Sequence, residues 1–123
     1  MLRFYPLLAS MAASFCLISP LCCSQILPTP GTVALTFDDG PSPYYTPKIL
    51  KILDAYHVHA TFFVTVSYAV RHTKVINEIL AQGSVVANHS YTHADLSQMA
   101  PWDLDHEISV SAQVLERLTG ETQ

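Results

Sequence analysis

Hydrophobic residues follow two different spacings along this chain, and the spacings predict alternating strands and helices. Three short runs of mainly β-branched, aromatic and small apolar residues occupy positions 32–37, 60–66 and 84–87. Runs of this kind are typical of strands. The first of the three is expected to be a buried strand.

Helical spacing follows each of these runs. Thr46 is a candidate N-cap and Pro47 suits the first helical position of the first helix. Its predicted apolar face comprises Ile49, Ile52, Leu53 and Tyr56. The second helix is predicted from Val75, Ile76, Ile79 and Leu80, with Gly83 as its stop. A last helix is expected over residues 101–118, with acidic residues near its start and Arg117 near its end, as the helix dipole favours.

The resulting order, β-α-β-α-β-α, predicts an α/β fold with a parallel sheet, either open or barrel-like. In such folds functional residues gather where the strands reach their carboxyl ends, here called the rim. Asp38 and Asp39 follow the first predicted strand, and His89 and His93 follow the third. These four residues are therefore expected on the same rim, although the two pairs are far apart in sequence.

Two histidines and a carboxylate can form a metal site that keeps positions open for water and substrate. His89 and His93 can face one point from a helical turn or a compact loop. If Asp38 and Asp39 are near-extended, their side chains point in different directions, so one can bind the metal while the other serves a neighbouring role. The alternative is a turn formed by Asp, Gly and Pro, beside loop histidines that bond to the backbone.

Three segments together carry a family resemblance: "VALTFDDGPSPYYTPKILKIL", "ATFFVT" and "NHSYTHADLSQM". They resemble the polysaccharide deacetylases, the NodB homology domain of carbohydrate esterase family 4, over about residues 32–120. The resemblance implies a distorted (β/α) barrel and a divalent metal site of zinc type. It implies Asp39, His89 and His93 as metal ligands and Asp38 as the general base. The implied reaction removes acetyl groups from an N-acetylated polysaccharide such as chitin or peptidoglycan.

Tyr44 is a further candidate on the loop after the first strand. Amide hydrolysis passes through a tetrahedral oxyanion, which positive charge or aligned N–H donors stabilise. The backbone N–H of Tyr44 is one candidate donor. Its side chain is a candidate substrate contact, and packing within the loop is the alternative.

The chain also departs from the family pattern. The Arg-x-Pro-Tyr-like motif and the later motif that carries a general-acid histidine do not occur before Gln123. We therefore expect the N-terminal portion of the barrel, and a chain that by itself is inactive or weakly active. Two alternatives remain open: a non-catalytic remnant that binds metal or glycan, and an esterase acting on O-acetyl groups of xylan.

The first residues read as a leader, because Arg3 precedes an apolar stretch that ends in small residues. Residues 1–24 are predicted to be a signal peptide, or alternatively an uncleaved membrane anchor. Residues 25–31, with two prolines, read as a linker before a domain at 32–123. A cleaved leader predicts a secreted or cell-envelope protein, with a membrane contact only if the leader is retained.

The positions of the cysteines and the net charge argue against disulfides, thiolate metal sites and a nucleic-acid partner. All three cysteines, Cys16, Cys22 and Cys23, lie in the predicted leader, so the mature chain would have no disulfide and no thiolate metal site. Cleavage would also move the formal charge from −4 to −5. This acidity argues against a nucleic-acid partner, which favours a basic surface.

Overall fold

The computed structural model describes residues 31–121, in which the three predicted strands and the three predicted helices occur in the predicted order. The predicted leader and the first six residues of the predicted linker lie outside this range. The second strand ends at Val64 rather than residue 66, and a further short helix, Val66–Ala69, follows it. The strands are β1 (Thr36–Gly40), β2 (Thr61–Val64) and β3 (Val85–Asn88). The α-helices are α1 (Thr46–Ala55), α2 (Val66–Ala69), α3 (Thr73–Ala81), α4 (Pro101–Asp105) and α5 (Ser111–Thr119). A 3-10 turn covers Leu96–Gln98, and a π-helical turn, His106–Val110, joins α4 to α5.

The three strands form a parallel sheet in the order β1-β2-β3, which confirms the predicted topology. The pairing of β2 with β3 is regular from Thr61 to Val64. The pairing of β1 with β2 shifts between Phe37 and Gly40, where β1 contains one residue more than its partner. This bulge lies at the two aspartates, and bulges of this kind redirect side chains next to functional sites.

The hydrophobic core lies between the sheet and helices α1, α3 and α5. The predicted face of α3 is confirmed, since Val75, Ile76 and Ile79 are buried and Leu80 packs against them. Leu115 of α5 is fully buried in the same cluster. These helices therefore fix β3, and with it the histidines that follow, relative to the other strands.

The predicted face and cap of α1 are partly wrong. Leu53 is buried, but Ile52 is 59% exposed and Tyr56 is 75% exposed. Leu50 takes the inner position instead, because the helix turns Thr46, Leu50 and Leu53 toward the sheet. Thr46 is the first helical residue rather than the N-cap, and its hydroxyl accepts a hydrogen bond from the Ser42 N–H at 3.0 Å.

The expectation of a buried first strand is wrong. The strand begins at Thr36 rather than residue 32, and Val33 and Leu35 are 79% and 43% exposed. Within residues 31–121, β1 pairs only with β2 and forms an edge of the sheet. The sequence of an apolar run does not by itself determine whether the run is buried, because burial requires a neighbouring element that covers it.

The predicted last helix is confirmed as a continuous helical segment from Pro101 to Thr119, interrupted by the single π-helical turn. Asp103 lies in the first turn of α4 and Arg117 in the last turn of α5. Gly120 ends the segment in the left-handed conformation, with φ of 74°. In the part of the chain that the structure describes, no helix has the length and apolar character needed to span a bilayer.

Candidate metal centre

Asp39 occupies the bulge of β1 in a left-handed conformation, with φ of 66°. The premise that both aspartates are near-extended is therefore wrong for Asp39, because the extra residue bends the strand at this position. One carboxylate oxygen, Oδ1, lies 3.3 Å from His89 Nε2 and 3.4 Å from His93 Nε2. The bulge thus turns this carboxylate toward both histidines.

His89 and His93 bracket a compact loop, residues 89–93, here called the ligand loop. The loop begins where β3 ends, and the His89 N–H donates to the Val64 carbonyl oxygen at 3.0 Å. Ser90 and His93 are both left-handed, with φ of 63° and 64°, and the His93 N–H donates to Ser90 Oγ at 2.9 Å. These turns bring the two imidazole rings within 4.8 Å, measured between centroids.

Left-handed backbone at non-glycine residues is energetically unfavourable, by about 1–3 kcal/mol for each residue, and such strain clusters at functional sites. Among residues 31–121, four non-glycine residues adopt it: Asp39, Ser90 and His93 lie at the rim, and His57 follows α1. The clustering of three of these strained residues at the rim indicates that the surrounding structure holds their side chains in place for a function, since the conformation itself does not stabilise the fold.

The donor atoms fit a divalent metal ion. Zinc lies about 2.0–2.2 Å from carboxylate oxygen and imidazole nitrogen in tetrahedral sites, so two ligands of one ion are about 3.4 Å apart. The two distances from Asp39 match this spacing, and the three ligand atoms all lie within 4.8 Å of one another. The side chain of His93 is 58% exposed, which leaves it room to adjust.

Asp38 lies beside this cluster but does not join it. Its side chain is exposed and has no hydrogen-bond or ion-pair partner within residues 31–121. Asp38 and Asp39 both line a depression of about 250 Å³ that reaches Tyr45 and Phe62. A carboxylate without protein partners at the edge of a depression is accessible to water and to a proton.

A second depression, of about 280 Å³, contains both histidines. It is lined by Asn88, His89, Ser90, His93, Ala94 and Leu96. The candidate ligands therefore contribute to two concave surfaces, one beside the aspartates and one beside the histidines.

Tyr44 lies on the loop after β1 as predicted, and the residue is 63% exposed. The Lys48 ammonium lies 3.5 Å from the centre of this ring, and the Tyr45 ring is 4.9 Å away, edge to face. The Tyr44 N–H donates to Ser42 Oγ at 3.4 Å, a long hydrogen bond. Of the two tyrosines, only Tyr45 lines the depression that holds Asp38.

Glu107 accepts hydrogen bonds from the ligand loop and was not identified from the sequence. The residue is only 4% exposed, and its carboxylate accepts hydrogen bonds from the Tyr91 and Thr92 N–H groups at 2.9 and 2.8 Å and from the Thr92 hydroxyl at 2.6 Å. Burial raises the pKa of Glu107, but hydrogen bonds from Thr92, Tyr91 and Ser90 lower it, and the net pKa lies below its usual value. The sequence did contain one signal that could have identified Glu107, namely a charged residue on the buried face of the last predicted helix.

Comparison with known proteins finds that the family model described as "Polysaccharide deacetylase" matches residues 27–123. A chitooligosaccharide deacetylase from Sinorhizobium fredii is 44% identical over 88 residues, which cover 68% of this chain and 41% of that protein. A peptidoglycan-N-acetylglucosamine deacetylase from Bacillus cereus is 39% identical over 88 residues, which cover 72% of this chain and 32% of that protein.

Among solved structures, a family 4 carbohydrate esterase from Streptomyces lividans, in complex with acetate, superposes with a TM-score of 0.69 and 38% identity. The match covers 76% of this chain and 48% of that structure. The predicted α/β fold, as part of the barrel domain of such enzymes, is confirmed by this likeness. The chain spans less than half the length of each of these three proteins.

Proposed function

This chain belongs to the polysaccharide deacetylase family, and we propose that it serves the hydrolysis of acetyl amides on an N-acetylated polysaccharide such as chitin or peptidoglycan. The observation that carries the proposal is the convergence of Asp39, His89 and His93 at the rim, with Asp38 next to them. The relatives named above, a chitooligosaccharide deacetylase and a peptidoglycan deacetylase, support this class of substrate.

We assign Asp39 Oδ1, His89 Nε2 and His93 Nε2 as ligands of a divalent metal ion. One oxygen and two imidazole nitrogens are donors that suit zinc. When bound, such an ion supplies Lewis-acid polarisation of a carbonyl group and lowers the pKa of a coordinated water.

Asp38 acts as the general base in this proposal. Its carboxylate has no protein partner among residues 31–121, so it can accept the proton of the attacking water. Addition of that water to the amide carbon and cleavage of the C–N bond release acetate and the sugar amine. Asp38 takes up one proton from the attacking water, and the leaving nitrogen requires one proton, so the number of protons is conserved.

Tyr44 remains a proposed substrate contact. Its exposed ring, beside the perpendicular Tyr45 ring and the Lys48 ammonium, offers an amphipathic surface at the rim, which suits contact with a sugar ring. Its N–H is less suited to the oxyanion, because Ser42 Oγ already accepts from it.

The test measures metal binding and turnover on the same preparation. Isothermal titration of the purified chain with Zn²⁺ should give about one bound ion, and His93→Ala should weaken it strongly. His59→Ala is the matched control, because His59 is exposed and precedes β2, at the opposite end of the strands from the rim. A wild-type chain that binds no divalent ion would overturn the metal assignment.

Substrate class is tested on chitooligosaccharides, peptidoglycan and acetylated xylan in parallel. Release of acetate from the first two supports amide hydrolysis. Release from xylan alone would support the second candidate, an O-acetyl esterase. Metal binding without turnover on any of them agrees with the expectation that this chain by itself is inactive, and the substrate class is then tested on a protein whose deacetylase activity has been established.

We also propose that the protein is exported to the cell envelope or secreted, because residues 1–24 have the layout of a signal peptide. Expression in a host with matching export machinery should yield a product shorter by about two dozen residues, in line with the 15–30 residues of such leaders. Intact-mass measurement of the exported protein checks this. An intact Met1 on membrane-bound material would support the anchor instead.

A further inference from the structure

The ligand loop is held by a buried carboxylate that the proposed reaction does not use. Glu107 places one oxygen, Oε2, against two successive N–H groups, those of Tyr91 and Thr92, and the other, Oε1, against the Thr92 hydroxyl. Burying a carboxylate is unfavourable unless its oxygens are hydrogen-bonded. Here the donors that satisfy it all come from the ligand loop, between the two histidines.

The residue before the loop is held by the same helical segment. Asn88, the last residue of β3, donates from Nδ2 to Ser111 Oγ at 2.8 Å, and Ser111 is fully buried. The Ser111 hydroxyl lies 2.7 Å from the Glu107 carbonyl oxygen, to which it can donate. Glu107 and Ser111, four positions apart and here called the anchor pair, therefore contact the chain on both sides of His89.

The helix departs from regular α-helical geometry where the anchor pair lies. Glu107 belongs to the π-helical turn His106–Val110, and Ser111 begins α5 directly after it. Single π-helical turns are uncommon and are found frequently at functional sites. This irregularity is a second observation, independent of the hydrogen bonds, that points to a role for this part of the helix.

We propose that the anchor pair positions the ligand loop for metal binding, with Glu107 as the principal positioning residue; this rests on the proposed metal function. Ser90 and His93 adopt left-handed backbone that the loop would relax if it were free. Hydrogen bonds to Glu107 from the two residues between them oppose that relaxation. They thereby keep His93 Nε2 within reach of Asp39 Oδ1.

A purely structural role for Glu107 predicts a different outcome. Loss of a structural contact lowers the unfolding temperature but leaves the metal affinity of the remaining folded protein unchanged. A positioning role lowers metal affinity at temperatures where the variant is fully folded. Loss of Glu107 frees the Tyr91 and Thr92 N–H groups to exchange with water under either role, so amide exchange tests the contact and metal affinity tests the positioning.

The experiment uses the full chain with Glu107→Ala, Glu107→Gln and Thr92→Val, and Glu116→Ala as the matched control. Glu116 is an exposed glutamate of α5. Zn²⁺ affinity is measured by competition with a chelator, and the visible spectrum of bound Co²⁺ reports the ligand set. Residues that hold the ligands of metal sites contribute about 10–100-fold to affinity, so Glu107→Ala should weaken Zn²⁺ binding within that range.

Glu107→Gln and Thr92→Val should weaken binding less than Glu107→Ala does. The amide side chain of the first variant would still offer one oxygen to the two N–H groups, and the valine of the second removes only the hydroxyl donor. Glu116→Ala should bind as the wild type does. Wild-type affinity and an unchanged Co²⁺ spectrum in folded Glu107→Ala would overturn the proposal.

Amide exchange in the metal-free protein is the second measurement, and it remains decisive if Glu107→Ala does not fold. The Tyr91 and Thr92 amides should exchange faster in Glu107→Gln than in the wild type, because an amide oxygen is a weaker acceptor than a carboxylate. Thr92→Val keeps the Glu107 carboxylate and should change this exchange less. Unchanged protection in Glu107→Gln would overturn the anchoring by Glu107. A wild type that binds no metal would overturn the proposed function instead. The exchange data would then still show whether Glu107 anchors the ligand loop.

Discussion

At the scale of single residues, the extra residue in β1 gives Asp38 and Asp39 different surroundings. Asp39 takes the left-handed position and reaches both histidines, while Asp38 stays exposed without a partner among the described residues. The two aspartates are therefore expected to differ in what their loss does.

Asn substitution should separate the two roles. Asp39→Asn should lower Zn²⁺ affinity, because an amide oxygen is a weaker ligand than a carboxylate. Asp38→Asn should leave Zn²⁺ bound and reduce deacetylation by about 10²–10⁴-fold, the usual contribution of a general base. Affinity is measured on this chain, and kcat on a protein whose deacetylase activity has been established. Metal loss in Asp38→Asn but not in Asp39→Asn would reverse the assignment.

The position of Gly83, after α3, favours glycine for two reasons: its backbone is left-handed, and a side chain there would contact His59. Its φ is 87°, and an added Cβ would lie 3.0 Å from the His59 ring. Left-handed backbone at a residue with a Cβ costs about 1–2 kcal/mol, so Gly83→Ala should lower the free energy of unfolding by at least that amount. Urea denaturation of the full chain measures this change.

Gly120→Ala is the control for the Gly83 prediction, because Gly120 has φ of 74° but no atom within 4 Å of its added Cβ. It carries the backbone cost without the contact. Gly83→Ala should therefore be the more destabilising variant. A combined His59→Ala and Gly83→Ala protein should recover the difference, and failure to do so would show that the ring contact has no cost.

At the scale of secondary-structure elements, the segment from Pro101 to Thr119 connects the core to the site. Leu115 on this segment packs in the core, and Glu107, two turns earlier, holds the ligand loop. Because both attachments belong to one helical segment, a change that shifts the helix should also shift the histidines. Stability and metal binding are thus expected to be coupled through this element.

The Glu107 carboxylate should make folding stability depend on pH. Its folded-state pKa lies below its usual value of 4.5, because the hydrogen bonds from Thr92, Tyr91 and Ser90 outweigh the effect of burial. The unfolded chain therefore takes up the proton first as the pH falls. The stabilisation is complete above about pH 4.5 and is lost as the pH falls through the lower folded-state pKa.

Urea denaturation of the wild type and of Glu107→Gln from pH 7 to pH 3 measures this contribution. The difference between the two free energies of unfolding should shrink as the pH falls, since the glutamine cannot titrate. Among residues 31–121, the hydrogen-bond partners of Glu107 are amides and hydroxyls, so no second titrating partner enters the comparison. A difference that stays constant over this range would contradict the prediction.

At the scale of the whole molecule, the sheet presents an apolar edge. Val33 and Leu35 are exposed just before β1, which has one strand partner within residues 31–121. Exposed edge strands pair with other chains, and lysine on the edge suppresses such pairing. The 123-residue chain by itself should therefore self-associate.

Replacing both residues, Val33→Lys with Leu35→Lys, should reduce that association. Size-exclusion chromatography with light scattering measures the molecular mass of both proteins over a range of concentrations. Ala55→Lys is a suitable control, since it adds a charge at an exposed position of α1. A wild type that remains monomeric at all concentrations would show that this edge is not adhesive.

The sequence by itself determined the order of the three strands and the three longer helical segments, but not the short helix α2, and it determined the rim on which the candidate site lies. The period of Val75, Ile76 and Ile79 predicted α3 and its buried face, because helical spacing places those residues on one side. The strand ends predicted that the two aspartates and the two histidines would lie on one rim, because parallel strands point their carboxyl ends the same way, and the choice of Asp39 as the ligand came from the family resemblance. Local spacing and strand direction suffice for both conclusions.

Tertiary structure decided what depends on a neighbouring element. The exposure of Val33 and Ile52 follows from what packs beside β1 and α1, and the spacing within each segment does not contain that information. The same holds for the bulge at Asp39, which arises from the pairing of β1 with β2. It holds also for Glu107, whose partners lie fifteen and sixteen positions away, because a hydrogen bond between distant segments exists only after the helix has packed against the sheet.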